Sequence, residues 1–116
     1  MENFKTQYSF EERKAESEKI KQHWPDKIPI VAEKAQGSFL KPIQKSKILC
    51  PCSFKVYQFL ASLRTKLDLS QRDSLFVFFN NQLILGDRTI SEVYTKGQDP
   101  DGFLYVTYSE HENLGN

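Results

Sequence analysis

One ordinary domain is the most that 116 residues hold, and 39% apolar against 27% charged residues suffice to bury a real core. The basic and acidic side chains, 16 against 15, leave a net charge of +1 and give no reason to expect nucleic acid as a partner. The longest apolar run, Leu75 to Phe79, is far short of the roughly 20 residues of a membrane span, and Met-Glu-Asn-Phe-Lys at the start lacks a signal peptide's apolar core, so a soluble intracellular protein is expected.

Phe4 and Tyr8, four apart, allow a short helical turn near the start. Ser9 followed by Glu12 is a capping-box pattern, which opens a helix at Phe10. Phe10, Ser17, Ile20 and Trp24 then fall near one face, while Glu11, Glu12, Lys14, Glu18 and Lys21 face away. A helix with so thin a stripe leans on a domain rather than forming its centre, and Pro25 ends it. Ile28 to Lys34 is rich in β-branched residues and reads as a strand, with Pro29 near its start or on an edge.

Past the Gly37-Ser38 turn, Lys47-Ile-Leu-Cys-Pro-Cys52 reads as a second strand. Alternation sends Lys47 and Leu49 to one side and Ile48 and Cys50 to the other; Pro51 cannot donate to a ladder, so one edge of this strand should lie unpaired. Ser53 is the expected cap of a helix from Phe54 to Lys66, whose buried face is Val56, Phe59, Leu60, Leu63 and Leu67. Leu75 to Phe79 is a strongly β run, Asn80-Asn81 a turn, and Leu83 to Leu85 a short partner strand. Thr89 and Glu92 open a short helix through Tyr94, Phe103 to Tyr108 is the last strand, and Ser109 to Asn116 is a polar tail expected to be mobile. A hairpin, a crossover helix and returning strands make an α+β roll with one helix on a mixed sheet, the order of the ubiquitin-like β-grasp fold with an additional N-terminal helical segment.

The two halves differ in charge, residues 1–58 carrying +4 and residues 59–116 carrying −3. A basic first half could steer an acidic partner or anionic lipid, although a solvated helix face accounts for the asymmetry more simply. Chemistry is thinly represented. Cys50 and Cys52 cannot complete a four-ligand zinc site alone, so no metal is expected, and as strand thiols in a reducing compartment they read as structural. The five glycines are dispersed and form no phosphate cradle, and two histidines with scattered carboxylates define no nucleophile–base pair. No catalytic residue is named and no enzyme activity is expected; a redox thiol at Cys50 or Cys52 is the enzyme-class rival.

Phe10-Glu-Glu-Arg13, Glu16-Ser-Glu-Lys-Ile20, Trp24-Pro-Asp-Lys-Ile-Pro29, Val31-Ala-Glu-Lys-Ala35, Gln58-Phe59, Leu63-Arg64, Asn80-Asn81 and Phe103-Leu-Tyr-Val-Thr-Tyr-Ser109 carry a resemblance over essentially the whole chain. The chain resembles the autophagy ubiquitin-like modifiers related to the GABA type A receptor-associated protein. The resemblance implies a helical extension over 1–24, a ubiquitin-like domain over 25–109 and a flexible conjugation tail over 110–116. It implies that a dedicated cysteine protease removes Asn116, and that activating and conjugating enzymes pass the Gly115 carboxylate to phosphatidylethanolamine, with no other cofactor. A monomer before lipidation, the chain would then cycle between cytoplasm and autophagosomal or other cytoplasmic vesicle membranes.

The same resemblance implies that cargo receptors bearing aromatic-x-x-aliphatic motifs add a strand to the Lys47–Cys52 edge. Their aromatic residue would enter a pocket of Glu16, Ile20, Pro29, Lys47, Leu49 and Phe103, and their aliphatic residue one of Ile48, Cys50, Pro51, Phe54, Phe59 and Leu63. Lys27, Lys45 and Arg64 would form a basic rim for acidic residues near the motif. Core packing is an equal explanation for Phe59 and Leu63, and docking of the N-terminal helix for Ile20, Pro29 and Phe103. Against the family pattern, Ser62 stands for an aliphatic residue, Cys50 for a valine, Gly102 for an aromatic, and Leu83-Ile-Leu-Gly-Asp87 for a proline-containing turn. A ubiquitin-like binding module that is never conjugated is the remaining alternative.

Overall fold

In the computed structural model, which describes residues 3–113, two short helices α1 (Phe4–Gln7) and α2 (Phe10–His23) precede β1 (Lys27–Lys34) and β2 (Lys47–Pro51). Helix α3 (Val56–Lys66), β3 (Phe76–Phe79), β4 (Gln82–Leu83), α4 (Ile90–Gly97) and β5 (Leu104–Ser109) follow. The strands form one sheet in the order β2-β1-β5-β3-β4, with β1 and β5 parallel and the other neighbours antiparallel. That is the ubiquitin-like α+β roll with an N-terminal helical segment.

Strand period decides which face each residue serves. Ile28, Ile30 and Ala32 of β1, Cys50 of β2, and Leu104, Val106 and Tyr108 of β5 share a core with Val56, Phe59, Leu63 and Leu67 on α3. The alternate residues Val31, Phe103 and Tyr105 face the other way and pack with Phe4 and Ile20 of the N-terminal helices. The sheet is thus covered on both sides, and Phe4 meets Phe103 edge-on at 5.2 Å.

Both capping boxes read from the sequence are present: Ser9 Oγ accepts the Glu12 N–H, and Thr89 Oγ1 accepts that of Glu92. The Asn80-Asn81 turn has φ of 51° and 66°, the left-handed pair of a tight hairpin. Four expectations need correction. Ser53 does not cap α3: Lys55 bridges Thr89, Val56 N–H donates to Arg88 and Phe54 C=O accepts from Ile90, so this stretch is held extended and the helix starts two residues later. The strand after the turn shrinks to Gln82–Leu83, leaving Leu85 72% exposed. Phe10 and Trp24 are also exposed, and the buried positions of α2 are Ser17 and Ile20.

The fourth correction concerns the tail. Ser109 is buried in β5, and the Glu110 carboxylate accepts from Ser38 Oγ at 2.6 Å and from the Phe39 N–H at 2.8 Å, pinning the loop between β1 and β2. These two donors hold the Glu110 carboxyl down, from an ordinary 4.5 to about 2. A depressed carboxyl contributes stability above its unfolded value and loses it as pH falls, so the anchor should fail between about 4.5 and 2. The Phe39 amide chemical shift should titrate over that range; a flat profile would mean that the loop holds without the carboxylate.

Candidate functional site

Strand β2 lies at the edge of the sheet, and its register shows which main-chain groups face outward. Cys52 N–H donates to Asp26 C=O at 2.9 Å and Ala32 N–H to Ser46 C=O at 2.8 Å, with Ile28 opposite Cys50 and Ile30 opposite Ile48. The even-numbered residues of β2 therefore spend their main-chain groups on β1, while those of Lys47, Leu49 and Pro51 point away from the sheet. Pro51 is tolerated because its missing N–H falls on the open side. Pro29, interior in the strand order, survives because its own missing N–H faces β5 one residue before that pairing begins at Ile30 and Leu104.

On the α2 side of this edge, Lys47 Nζ donates to Glu16 at 2.9 Å, both side chains being partly exposed. Leu49 is 38% exposed and lies opposite Pro29 in a pair without ladder bonds, where side chains come closest. Ile20, Pro29 and Phe103 are buried. Of the six residues assigned to the aromatic pocket, Glu16, Lys47 and Leu49 are at the surface while Ile20, Pro29 and Phe103 are packed beneath it. Docking of the N-terminal helices thus accounts for Phe103, which Phe4 covers.

On the α3 side, Ile48 and Phe54 are half-buried, whereas Cys50, Phe59 and Leu63 are core residues. Pro51 is half-buried and its carbonyl accepts the Phe54 N–H at 3.0 Å, fixing the turn that leads toward α3. Burial pushes the Cys50 thiol up to about 12, leaving it protonated at neutral pH and a poor nucleophile. Lys27 is half-buried and close enough to oppose that rise; Lys45 is exposed. Arg64 is turned to another task, since its guanidinium donates at 2.8 Å to the carbonyls of both Ser70 and Asp73 and clamps the loop after α3. Among the described residues no group of side chains could hold a metal ion, and no helix is long and apolar enough to cross a membrane. Gly115 and Asn116 lie outside the described residues.

A hollow of about 740 Å³ lies elsewhere: Phe4, Glu33, Gly37, Ile43, Ser46 and Thr107 are among the residues lining it, beside the β1–β2 loop. Two features central to the site were missed from the sequence. Phe4 seals the face above Phe103, and Asp101, fully buried, gathers Arg13 Nε at 2.8 Å, Tyr105 O–H at 2.6 Å and Phe103 N–H at 2.8 Å. Next to it Gly102 has φ of +92°, and a Cβ there would stand 2.3 Å from Ser17 Oγ, so only glycine lets α2 approach this closely. Asp101 thereby fixes the position of α2, and α2 carries Glu16 to Lys47.

Residues 12–115 match the family model described as autophagy protein Atg8, ubiquitin like. Autophagy-related protein 8 of Candida glabrata is 40% identical over 113 residues, covering 97% of this chain and 96% of the relative. Autophagy-related protein 8e of Arabidopsis thaliana is 40% identical, covering 97% and 92%. The crystal structure of Trypanosoma brucei ATG8 superposes with a TM-score of 0.90 at 31% identity, covering 100% of this chain and 99% of that one. With the family model matching nearly all of its length and a solved Atg8 sharing its fold, the chain belongs to the Atg8 family of autophagy ubiquitin-like proteins.

Proposed function

We propose that this protein is a non-enzymatic modifier, conjugated through Gly115 to phosphatidylethanolamine on autophagosomal and cytoplasmic vesicle membranes, where it recruits motif-bearing cargo receptors. The observation that carries the recruiting role is the open β2 edge, with the main-chain groups of Lys47 and Leu49 directed outward between two differently lined sides. An aromatic and an aliphatic residue three apart on an added strand point to opposite faces. One then meets Lys47, Leu49 and Glu16 on the α2 side, and the other Ile48 and Phe54 on the α3 side, above the core residues Cys50, Phe59 and Leu63. Main-chain bonds give such a complex its affinity and the two side chains its specificity. Lys27, Lys45 and Lys47 attract acidic residues beside the motif, a contribution that salt weakens.

Conjugation is supported by the family match, which extends to Gly115. A processing protease hydrolyses the bond to Asn116. The activating enzyme couples the freed Gly115 carboxylate to a nucleoside triphosphate, releasing pyrophosphate, and its thiolate displaces the nucleoside monophosphate to give a thioester. The acyl group then passes to the conjugating enzyme's thiol, and the lipid amine displaces that thiolate to form an amide. Glycine suits each transfer because no side chain crowds the acyl carbon. Two acyl chains then anchor the protein stably where one would not.

The test is the intact mass of the protein recovered separately from cytosol and membranes, with Gly115→Ala alongside. The expected result is loss of Asn116 in the soluble pool and a phosphatidylethanolamine-sized addition on membranes alone, both abolished in the variant. A full-length, unmodified chain in both pools would refute conjugation and leave a binding module.

A further inference from the structure

We propose that Phe39 is a membrane-contact residue, held outward by the fold so that its ring enters the headgroup–acyl boundary once the tail is fastened to lipid; this rests on the proposed conjugation through Gly115. Phe39 is 91% exposed, although its loop is firmly tied. Its N–H donates to Glu110, Leu40 N–H to Ser38 Oγ, and Tyr108 O–H to the Lys41 carbonyl at 2.8 Å. The neighbouring apolar residues Leu40 and Ile43 turn inward onto the core. The loop therefore partly buries its other large apolar side chains and presents one phenyl ring to water.

Three observations select a bilayer as the occupant. The ring stands on a loop, 35–46, that contains no acidic residue; Lys41 is paired with Asp68, and the exposed Lys45 is the loop's cation toward an anionic lipid surface. A single ring projecting from polar surroundings matches the interfacial use of aromatic side chains better than the broad apolar patch that a protein interface needs. Most directly, the loop is bonded to Glu110, the start of the segment that leads to Gly115. Five residues span at most about 18 Å, so a lipid joined to Gly115 holds the bilayer within that reach of the Glu110 backbone, whose side chain bonds the Phe39 N–H. At the millimolar effective concentration such a tether creates, one ring and the exposed Lys45 suffice to orient the domain.

The test uses a chain in which Asn116 is replaced by a hexahistidine segment, with Trp24→Phe and Phe39→Trp so that the only indole reports from the loop. It is tethered to vesicles of phosphatidylcholine and phosphatidylserine carrying a nickel-chelating lipid and brominated acyl chains. Tethering should shift the emission to the blue and quench it, while the same vesicles without chelator leave it unchanged. With native Trp24, Phe39→Asp should leave tethered vesicles about tenfold faster than the parent. Unchanged emission on tethered vesicles would overturn the proposal and leave Phe39 as a contact for a protein partner. Because the chelator supplies the tether, this outcome is independent of whether Gly115 is lipidated in cells.

Discussion

Arg13→Ala should destabilise the protein by about 3–5 kcal/mol, the loss expected when one member of a buried ion pair is removed. Asp101 has no exposure at all, whereas the Arg13 side chain keeps 11%. Removing the arginine strands a carboxylate that cannot reach water; removing the carboxylate leaves a guanidinium at the boundary but takes the acceptor from the Phe103 N–H and the Tyr105 O–H, so Asp101→Ala should cost at least as much. The double variant should cost less than the two single variants added together, because neither charge is then left unpaired. For a domain of this size the single variant should melt roughly 10–25 °C lower. Arg13 also donates to the carbonyls of Tyr8 and Lys5, so the damage should concentrate in the N-terminal helices. Hydrogen exchange should quicken first in α1 and α2 while α3 stays protected. A melt within 2 °C of the parent, or uniform loss of protection, would show that the pair does not hold these helices down.

That network was not legible in the sequence, and the reason is physical. Arg13 and Asp101 are 88 residues apart, and the turn around Gly102 announces a change of direction without saying what it approaches. What was legible was local. The capping boxes at Ser9 and Thr89 each depend on residues three apart, and both stand as read. Alternation along β2 separated Lys47 and Leu49 from Ile48 and Cys50, which the structure places on the two sides of the sheet. Where a distant partner competes, local reading failed: Ser53 lost the cap of α3 because the Arg88–Ile90 segment holds the preceding residues extended. Arg64 reads as a free cation until the carbonyls of Ser70 and Asp73 are seen to take its guanidinium. Exposure is likewise a property of the assembled fold. Composition cannot distinguish the buried Phe103 from the exposed Phe39.

Two adjacent proline substitutions should separate docking from folding. Leu49→Pro removes an N–H that faces the open edge of β2, so the ladder to β1 keeps its bonds and the melting temperature should hold within a few degrees. Binding of a synthetic peptide with an aromatic and an aliphatic residue three apart should weaken at least tenfold. It loses one main-chain bond, worth about 0.5–1.5 kcal/mol, together with the apolar contact of Leu49. Ile48→Pro, one residue earlier, removes an N–H committed to β1 and strands the carbonyl of Ile30, which has no exposure. That loss is about 1–3 kcal/mol before the missing apolar contacts are counted, and it falls on stability whether or not peptide is present. Measured by calorimetry and thermal melts on the same four proteins, parent, both variants and Lys47→Glu, the two effects should fall on different substitutions. Lys47→Glu reverses the charge beside Glu16 and should weaken acidic peptides most at low salt. If Leu49→Pro binds the peptide as well as the parent does, the edge of β2 is not where the added strand pairs, and the docking surface must be sought on another part of the fold.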